Sequence, residues 1–406
     1  MQPLAPSSFP PRRTRQSNEV AALRALHRFG RMSRAELARK LHLNRSSSGH
    51  IIAGLTTDGL VREVVERGVE RPLNGRVGRP GILLQLVPEA IFFLGVEIGV
   101  EHISVVEIDL EAKIVSTSVE PSGRPSDIEA TVERAVTQAF QTIPKDRWHR
   151  CEGVGVSAPA QMNKSGYIRE APLLGWRNLY PAEMVRHVLP VAVPVLAEND
   201  ANAFAIGATY GREDAIAGTT LFVVIETGVG GGIIVDGTLL HGAHGLAGEI
   251  GHMRGAAGEA GRTLEQNIGL EAILTEYRAV VPDRSITFEA FVSDVRDRDP
   301  RAVKIAERWA KELAFGIAQV CRVIDPDRVM LGGSVAALYP LVAARVAFHM
   351  AQVQGRDVLV PPITVNEYAV YGSAFGAACM LHRRYLSLEG QRYANDGLEA
   401  EAARTG

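Results

Sequence analysis

The chain has 406 residues, 46% hydrophobic and 22% charged, so it is long enough for two or three domains and has the balance of an ordinary globular protein. No apolar run approaches the ~18 to 20 residues that span a bilayer, and Cys151, Cys321 and Cys379 are too few and too scattered for a disulfide framework or a cysteine metal cage. The formal net charge of −2 hides an asymmetry: residues 1–80 carry 15 Lys+Arg against 6 Asp+Glu, while the remainder carries 29 against 40. A basic end on an acidic body points to one part that meets a polyanion and another with a different task.

Residues 1–17, rich in Pro, Ser and Arg without periodicity, read as a disordered basic arm. No apolar segment follows Arg12, Arg13 and Arg15 to make an export signal, so a cytoplasmic location is expected. Val20, Leu23, Leu26 and Phe29 then recur at helical spacing and stop at Gly30, which predicts a first helix. "SRAELARKL" opens a second through a Ser33/Glu36 capping box, with Leu37 and Leu41 on its inner face. Asn44 caps a third, "RSSSGHIIAGLTTDG", in which Ile51, Ile52 and Leu55 face inward. Its N-terminal half would expose Arg45, Ser46, Ser47, Ser48 and His50. Gly49 there costs ~1 kcal/mol relative to Ala, which close approach to DNA or simple tolerance must explain.

Two short helices joined by a tight turn match a helix-turn-helix whose second helix reads the major groove. "LVREVVERG" and "GILLQLVP" flank "VERPLNGRVGRP" as a wing hairpin, its tip offering Arg71, Arg76 and Arg79 to phosphates or a narrow minor groove. The expected DNA-contacting set is Asn44, Arg45, Ser46, Ser47, Ser48, His50, Arg76 and Arg79. The competing reading is a three-helix protein-interaction module with a solvated basic face.

From Phe92 the chain reads as an α/β body, with three β-branched strands first and helical stretches later. Four pieces carry chemistry: the loop "APLLGW", the strand end Glu198-Asn199-Asp200, the strand-turn-strand "FVVIETGVGGGIIVDG", and "DPDRVMLGGSVA", which runs into Gly332 and Gly333. Between the last two lies "GLAGEIGHMRGAAGEAGRTLEQ", which sets Glu249, His252 and Glu265 in one glycine-rich run.

In this order, after a winged helix, these motifs resemble the ROK family of repressors and sugar kinases over roughly residues 18–385. The resemblance implies a two-lobed actin-like ATPase (ribonuclease H-like) fold with a sugar in the interlobe cleft. The domains would be 18–88 for the winged helix-turn-helix and 89–385 for the sugar-binding body, followed by a flexible tail at 386–406. Within the body, 92–198 with 367–385 would form the small lobe and 199–366 the large lobe. The resemblance further assigns the sugar hydroxyls to Asn199, Asp200, Glu249, His252 and Glu265. Carboxylates accept from vicinal hydroxyls, and an amide or imidazole N–H donates to them. Singly, Asn199 could merely cap the following helix and Glu249 could solvate a loop.

Two departures stand out. Where the family commonly carries a zinc-binding Cys-x-Cys-Gly-x-x-Gly-Cys run after the histidine, this chain has Ala256, Gly258 and Thr263. His252 alone cannot hold structural zinc, so no metal and no cofactor is expected. Family kinases open with Asp-x-Gly-Gly-Thr around the ATP phosphates, but "VEIGVEH" sets Glu97, Val100 and Glu101 at the Asp, second Gly and Thr, and Glu226 replaces a glycine of the second phosphate loop. Asp200, the general base of a kinase, would then only accept hydrogen bonds. The expectation is a DNA-binding regulator, a repressor released by a sugar or sugar derivative, acting as a homodimer or homotetramer on a double-stranded operator with no membrane partner. Its alternatives are an ATP-dependent sugar kinase retaining a DNA-binding head, and a regulator with a dead pocket.

Overall fold

The computed structural model describes residues 17–65, 82–123, 127–211, 217–255, 261–281, 286–355, 359–366 and 370–387. The wing tip with Arg71, Arg76 and Arg79 lies outside these residues, as do Ala256, Gly258, residues 1–16 of the arm and 388–406 of the tail. The chain divides into two compact units, Met1–Ile91 with Asp109–Glu111 and His382–Gly406, and Phe92–Ile108 with Ala112–Leu381.

The first unit holds three helices, α1 (Ser17–Phe29), α2 (Arg34–Lys40) and α3 (Arg45–Thr57), and strands β1 (Met32–Ser33), β2 (Val61–Val65) and β3 (Ile82–Leu86). The strands form an antiparallel sheet in the order β1-β3-β2. Val20, Leu23, Leu26, Leu37, Ile51, Ile52 and Leu55 are all buried. The capping box is present, with Ser33 Oγ accepting from Glu36 N at 3.2 Å and Glu36 Oε2 from Ser33 N at 2.7 Å. Three expectations need correction. Ser17 already belongs to α1. Phe29 is 49% exposed, its ring lying under the Lys40 ammonium, because it sits at the helix end where the apolar stripe leaves the core. A Cβ at Gly49 would meet nothing within 4 Å, so no internal crowding requires that glycine. Also in this unit, the buried His382 ring donates from Nε2 to the Leu110 carbonyl at 2.9 Å and packs against His27, and burial lowers its pKa to about 3.

The second unit repeats one topology. Strands β4 (Phe92–Ile98), β5 (His102–Asp109) and β6 (Ile114–Pro121) form a meander, extended on the β4 side by the parallel strands β7 (Cys151–Ala158) and β11 (Val195–Asn199). A second sheet has the same plan. Its meander is β12 (Thr219–Ile225), β13 (Val229–Val235) and β14 (Thr238–Leu239), extended on the β12 side by β15 (Arg328–Gly332) and β16 (Ile363–Val365). Between β7 and β11 a small antiparallel sheet intervenes, made of β8 (Gln161–Met162), β9 (Ile168–Ala171) and β10 (Trp176–Leu179). Parallel pairs need crossover segments, which helices supply.

On the first sheet, α4 (Ile128–Gln141) and α5 (Pro181–Val188) join the core of Phe92, Val96, Phe140 and Val156. α6 (Asp200–Thr209) starts directly at the end of β11 and packs on β13 and β12. The second sheet is covered by α7 (Leu264–Ile268), α8 (Leu270–Val280), α9 (Phe288–Arg296), α10 (Pro300–Ile324) and α11 (Tyr339–Gln354). At their centre Trp309 of α10 is fully buried, its indole N–H donating to Ile268 O at 2.9 Å. The last helix, α12 (Gly372–Tyr385), meets α6 at a glycine, where a Cβ on Gly376 would collide with the Ala203 carbonyl oxygen.

One sequence expectation fails on hydropathy. Ser334–Gln354 reaches a mean hydropathy of 1.4 over a span long enough, by length and composition alone, to cross a membrane. It packs along α10, and Arg345 within it makes a bidentate pair with Glu307 at 2.6 and 2.7 Å.

Candidate functional site

The first candidate surface is the start of α3. Asn44 caps it, its Oδ1 accepting from Ser47 N at 2.8 Å, and Asn44, Arg45, Ser46 and His50 are exposed while Ser47 is half-buried. Ser48 does not belong to this face, since at 4% exposure it lies with Ile51, Ile52 and Leu55 on the inner stripe. Positions three and four residues apart share one helix face, so Ser48 falls in register with the core.

The second candidate is a cavity of about 130 Å³ within the second unit, lined by residues from the two five-stranded sheets and from the 245–252 segment. Asn199, Asp200, Glu249, His252 and Glu265 all line it, so folding brings together residues up to 66 positions apart. Asn199 ends β11 and caps α6. Its Oδ1 accepts from Asn202 N at 3.1 Å and its Nδ2 donates to Ala160 O at 3.1 Å. The capping role left open by the sequence is therefore real, and one amide N–H remains for the cavity. Asp200 follows as the first residue of α6, where the helix dipole favours a carboxylate. Burial wins over the dipole: with Glu97 close by adding repulsion, the Asp200 pKa rises to about 7.

Glu249 and His252 sit on a short 3-10 turn, their Oε2 and Nε2 3.4 Å apart, and burial pushes the Glu249 carboxyl up. His252 is the outermost of the set, its side chain 52% exposed. The segment lies flat against β13 because Gly248 has φ +94° and no Cβ, which would otherwise collide with the Gly231 carbonyl oxygen. Glu265, in the first turn of α7, accepts from Val229 N at 3.0 Å and so tethers the helix to the start of β13.

The zinc-replacing stretch is closed by protein bonds among its described residues. Arg254 and Thr263 form an antiparallel bridge, Leu264 N donates to Met253 O at 2.7 Å, and Thr263 caps α7 in a box with Gln266. Thr263 is thus occupied, and among the described residues no group of three or more His, Cys, Asp or Glu side chains is suited to a metal ion. Elemental analysis is expected to find no stoichiometric zinc, and a chelator should leave the melting temperature unchanged. One zinc per chain would contradict the reading.

Four participants escaped sequence reasoning. Glu198, 7% exposed, accepts from Asn199 N at 2.9 Å, Asn202 Nδ2 at 3.1 Å and His241 Nε2 at 2.8 Å. It thereby fixes the strand end to the segment that leads into Glu249. His241 looked like an ordinary loop residue, and no local pattern pairs it with a glutamate 43 positions away. Burial and repulsion from Glu101 and Glu97 bring Glu226 to about 7 even though it accepts from Ser334 N at 2.7 Å and Ser334 Oγ at 2.5 Å. Glu101 accepts from the Thr227 hydroxyl, and burial raises its pKa. His102 is pushed the other way, up to about 8, chiefly by the Glu97 carboxylate, and so is an imidazolium at neutral pH.

These shifts have a sign. Asp200 keeps its proton in the folded state up to about pH 7, whereas an unfolded aspartic acid loses it near 3.9, so stability falls as pH rises through that window. Asp200→Asn should melt higher than the native chain at pH 8, by roughly 2 to 4 °C, with the difference closing near pH 4. A gap independent of pH would show that Asp200 is not the titrating group.

Residues 93–384 match the ROK family. The chain belongs to the ROK family. It is 26% identical over 351 residues to the xylose repressor of Caldicellulosiruptor bescii, covering 79% of this chain and 84% of that protein. It is 30% identical over 205 residues to a glucokinase of Halalkalibacterium halodurans, covering 45% of this chain and 62% of that one. The family's relatives of this chain therefore include both a repressor and a kinase. Among solved structures, a ROK family transcriptional regulator homologous to the E. coli MLC protein superposes with a TM-score of 0.71 at 21% identity, covering 91% of this chain and 97% of that one. A Streptomyces griseus ROK glucokinase in complex with glucose and AMPPNP gives 0.63 at 24%, covering 71% and 98%. The fold is thus the α/β fold with mixed sheets of ROK proteins.

Proposed function

We propose that the chain is a cytoplasmic transcriptional repressor. Residues 18–88 would be a winged helix-turn-helix on a DNA operator, and 89–385 a two-lobed body that senses a sugar or sugar derivative without phosphorylating it. The observation that carries this reading is the occupancy of the phosphate side of the cavity by the protein's own carboxylates. Glu226 takes the N–H and hydroxyl of Ser334, and Glu101 takes the hydroxyl of Thr227, so donors that could meet a polyphosphate are committed to resident anions. A nucleotide entering there would face Glu97, Glu101 and Glu226 at close range, and like charges in a partly dry site repel strongly.

The sugar side keeps the complementary set of Asn199, Asp200, Glu249, His252 and Glu265. The similarity to a xylose repressor over most of both chains supports the regulatory branch. Closure of two lobes about a ligand, passed to paired reading heads in a homodimer or homotetramer, would alter half-site spacing and release DNA. The test is a coupled assay with a sugar panel and Mg-ATP alongside calorimetry with the same sugars. Binding without turnover is expected, and phosphorylation well above background would establish the kinase instead.

A further inference from the structure

The inner part of the cavity is unusual in what it offers a ligand. Its described lining includes six carboxylates, Glu97, Glu101, Asp200, Glu226, Glu249 and Glu265, and no Lys or Arg. Several nearby donors are spent on these acids: the Thr227 hydroxyl on Glu101, the Ser334 N–H and hydroxyl on Glu226, Val229 N on Glu265, and Ala201 N on Asp200. What faces inward is therefore mostly acceptor. Glu97 is the sharpest case, since it is only 9% exposed, lines the cavity, and has its nearest cationic atom, His102 Nε2, at 3.8 Å, beyond hydrogen-bond reach. That nitrogen is itself buried without a hydrogen bond. A nearly buried carboxylate and a nearly buried imidazole nitrogen both lack a partner at hydrogen-bond distance beside the same empty volume. A neutral hydroxyl can serve one acceptor per proton, whereas an ammonium presents three donors and cancels charge where carboxylates crowd.

We propose that the effector is an amino sugar, whose ammonium group binds at the inner end of the cavity against Glu97 with Glu101, Asp200 and Glu226, and that phosphorylated sugars are excluded there. This rests on the sugar-sensing reading above and narrows its ligand class. The ammonium takes the position that the structure leaves without a donor, while the hydroxyls are held by the strand end and the 249–265 segment.

Calorimetry with the full-length chain at neutral pH tests it, using glucose, galactose and mannose, the 2-amino-2-deoxy counterpart of each, 6-amino-6-deoxyglucose, glucose 6-phosphate, and magnesium chloride alone. The expected result is at least about tenfold tighter binding of one amine than of its neutral parent, with no binding of the phosphate. E97Q should erase most of that tenfold preference while leaving the neutral sugar within about twofold, and E101Q serves as the second variant should E97Q fail to fold. Neutral sugars that bind as tightly as every amine would overturn the amino-sugar inference and leave the sugar sensor standing. Tight binding of glucose 6-phosphate would do the same. Sugar binding that requires magnesium would assign the carboxylates to a divalent ion and overturn it too. If no sugar of any kind binds, the inference and the sensor reading fall together.

Discussion

Asp200→Ala is expected to yield a repressor that no longer lets go of its operator. Asp200 lines the cavity beside Asn199, and among the described residues the hydrogen bond recorded for its carboxylate is the one it accepts from Ala201 N at 2.8 Å. Removing it deletes a sugar contact and leaves the ligand's hydroxyl or ammonium opposite a methyl group, which should weaken binding by a few kcal/mol. The first unit, which holds α3, is a separate compact body, so operator affinity without ligand should stay within about twofold of native. Asp200→Asn keeps the size and one acceptor and should retain part of the response. Titrations of labelled operator with both variants, with and without effector, make the measurement. A folded Asp200→Ala chain that cannot bind operator even without sugar would show a coupling other than the one proposed.

The second large effect is at the reading helix. Arg45 is exposed at the first position of α3, directly after the Asn44 cap, where helix-turn-helix proteins place residues that touch base edges. Arg45→Ala should weaken operator binding by ~1 to 3 kcal/mol and binding to random DNA by much less. Arg76 and Arg79 should behave differently. As phosphate or minor-groove contacts, their loss should lower affinity for all sequences and flatten its salt dependence. Equal affinity of native and Arg45→Ala protein for the operator would remove α3 from the interface.

Local chemistry made much of this legible in the sequence. The Ser33/Glu36 box, the Asn44 cap and the apolar spacing of Val20, Leu23 and Leu26 are short-range signals, and all three appear in the structure. The three-strand opening of the body was legible for the same reason. The doubled sheet order was not, because pairing such as β12 with β15 joins segments roughly a hundred residues apart with nothing local to announce it. Ser48 was misplaced because a polar residue on a short helix looks exposed until its register with Ile51, Ile52 and Leu55 is followed.

The five sugar-side residues came from the family resemblance, and the structure adds that they share one cavity. The partners of the replacing carboxylates could not be read in advance. Glu226 meets Ser334 across 108 positions and Glu101 meets Thr227 across 126. A glutamate in a phosphate loop signals lost function on the page of a sequence. In the structure it fills donors that would otherwise be left for an anion.

The central claim is that one chain binds an operator and lets it go when a sugar occupies the cavity, without chemistry. It is tested most directly by titrating the full-length chain onto an operator recovered from randomised duplexes by repeated selection, then adding each neutral and amino sugar of the panel, with and without Mg-ATP. The account predicts that at least one sugar weakens operator binding by about tenfold or more, that Mg-ATP makes no difference, and that the sugar is recovered unmodified. Operator binding that no sugar alters, or release that occurs only with Mg-ATP and yields a phosphorylated sugar, would contradict it.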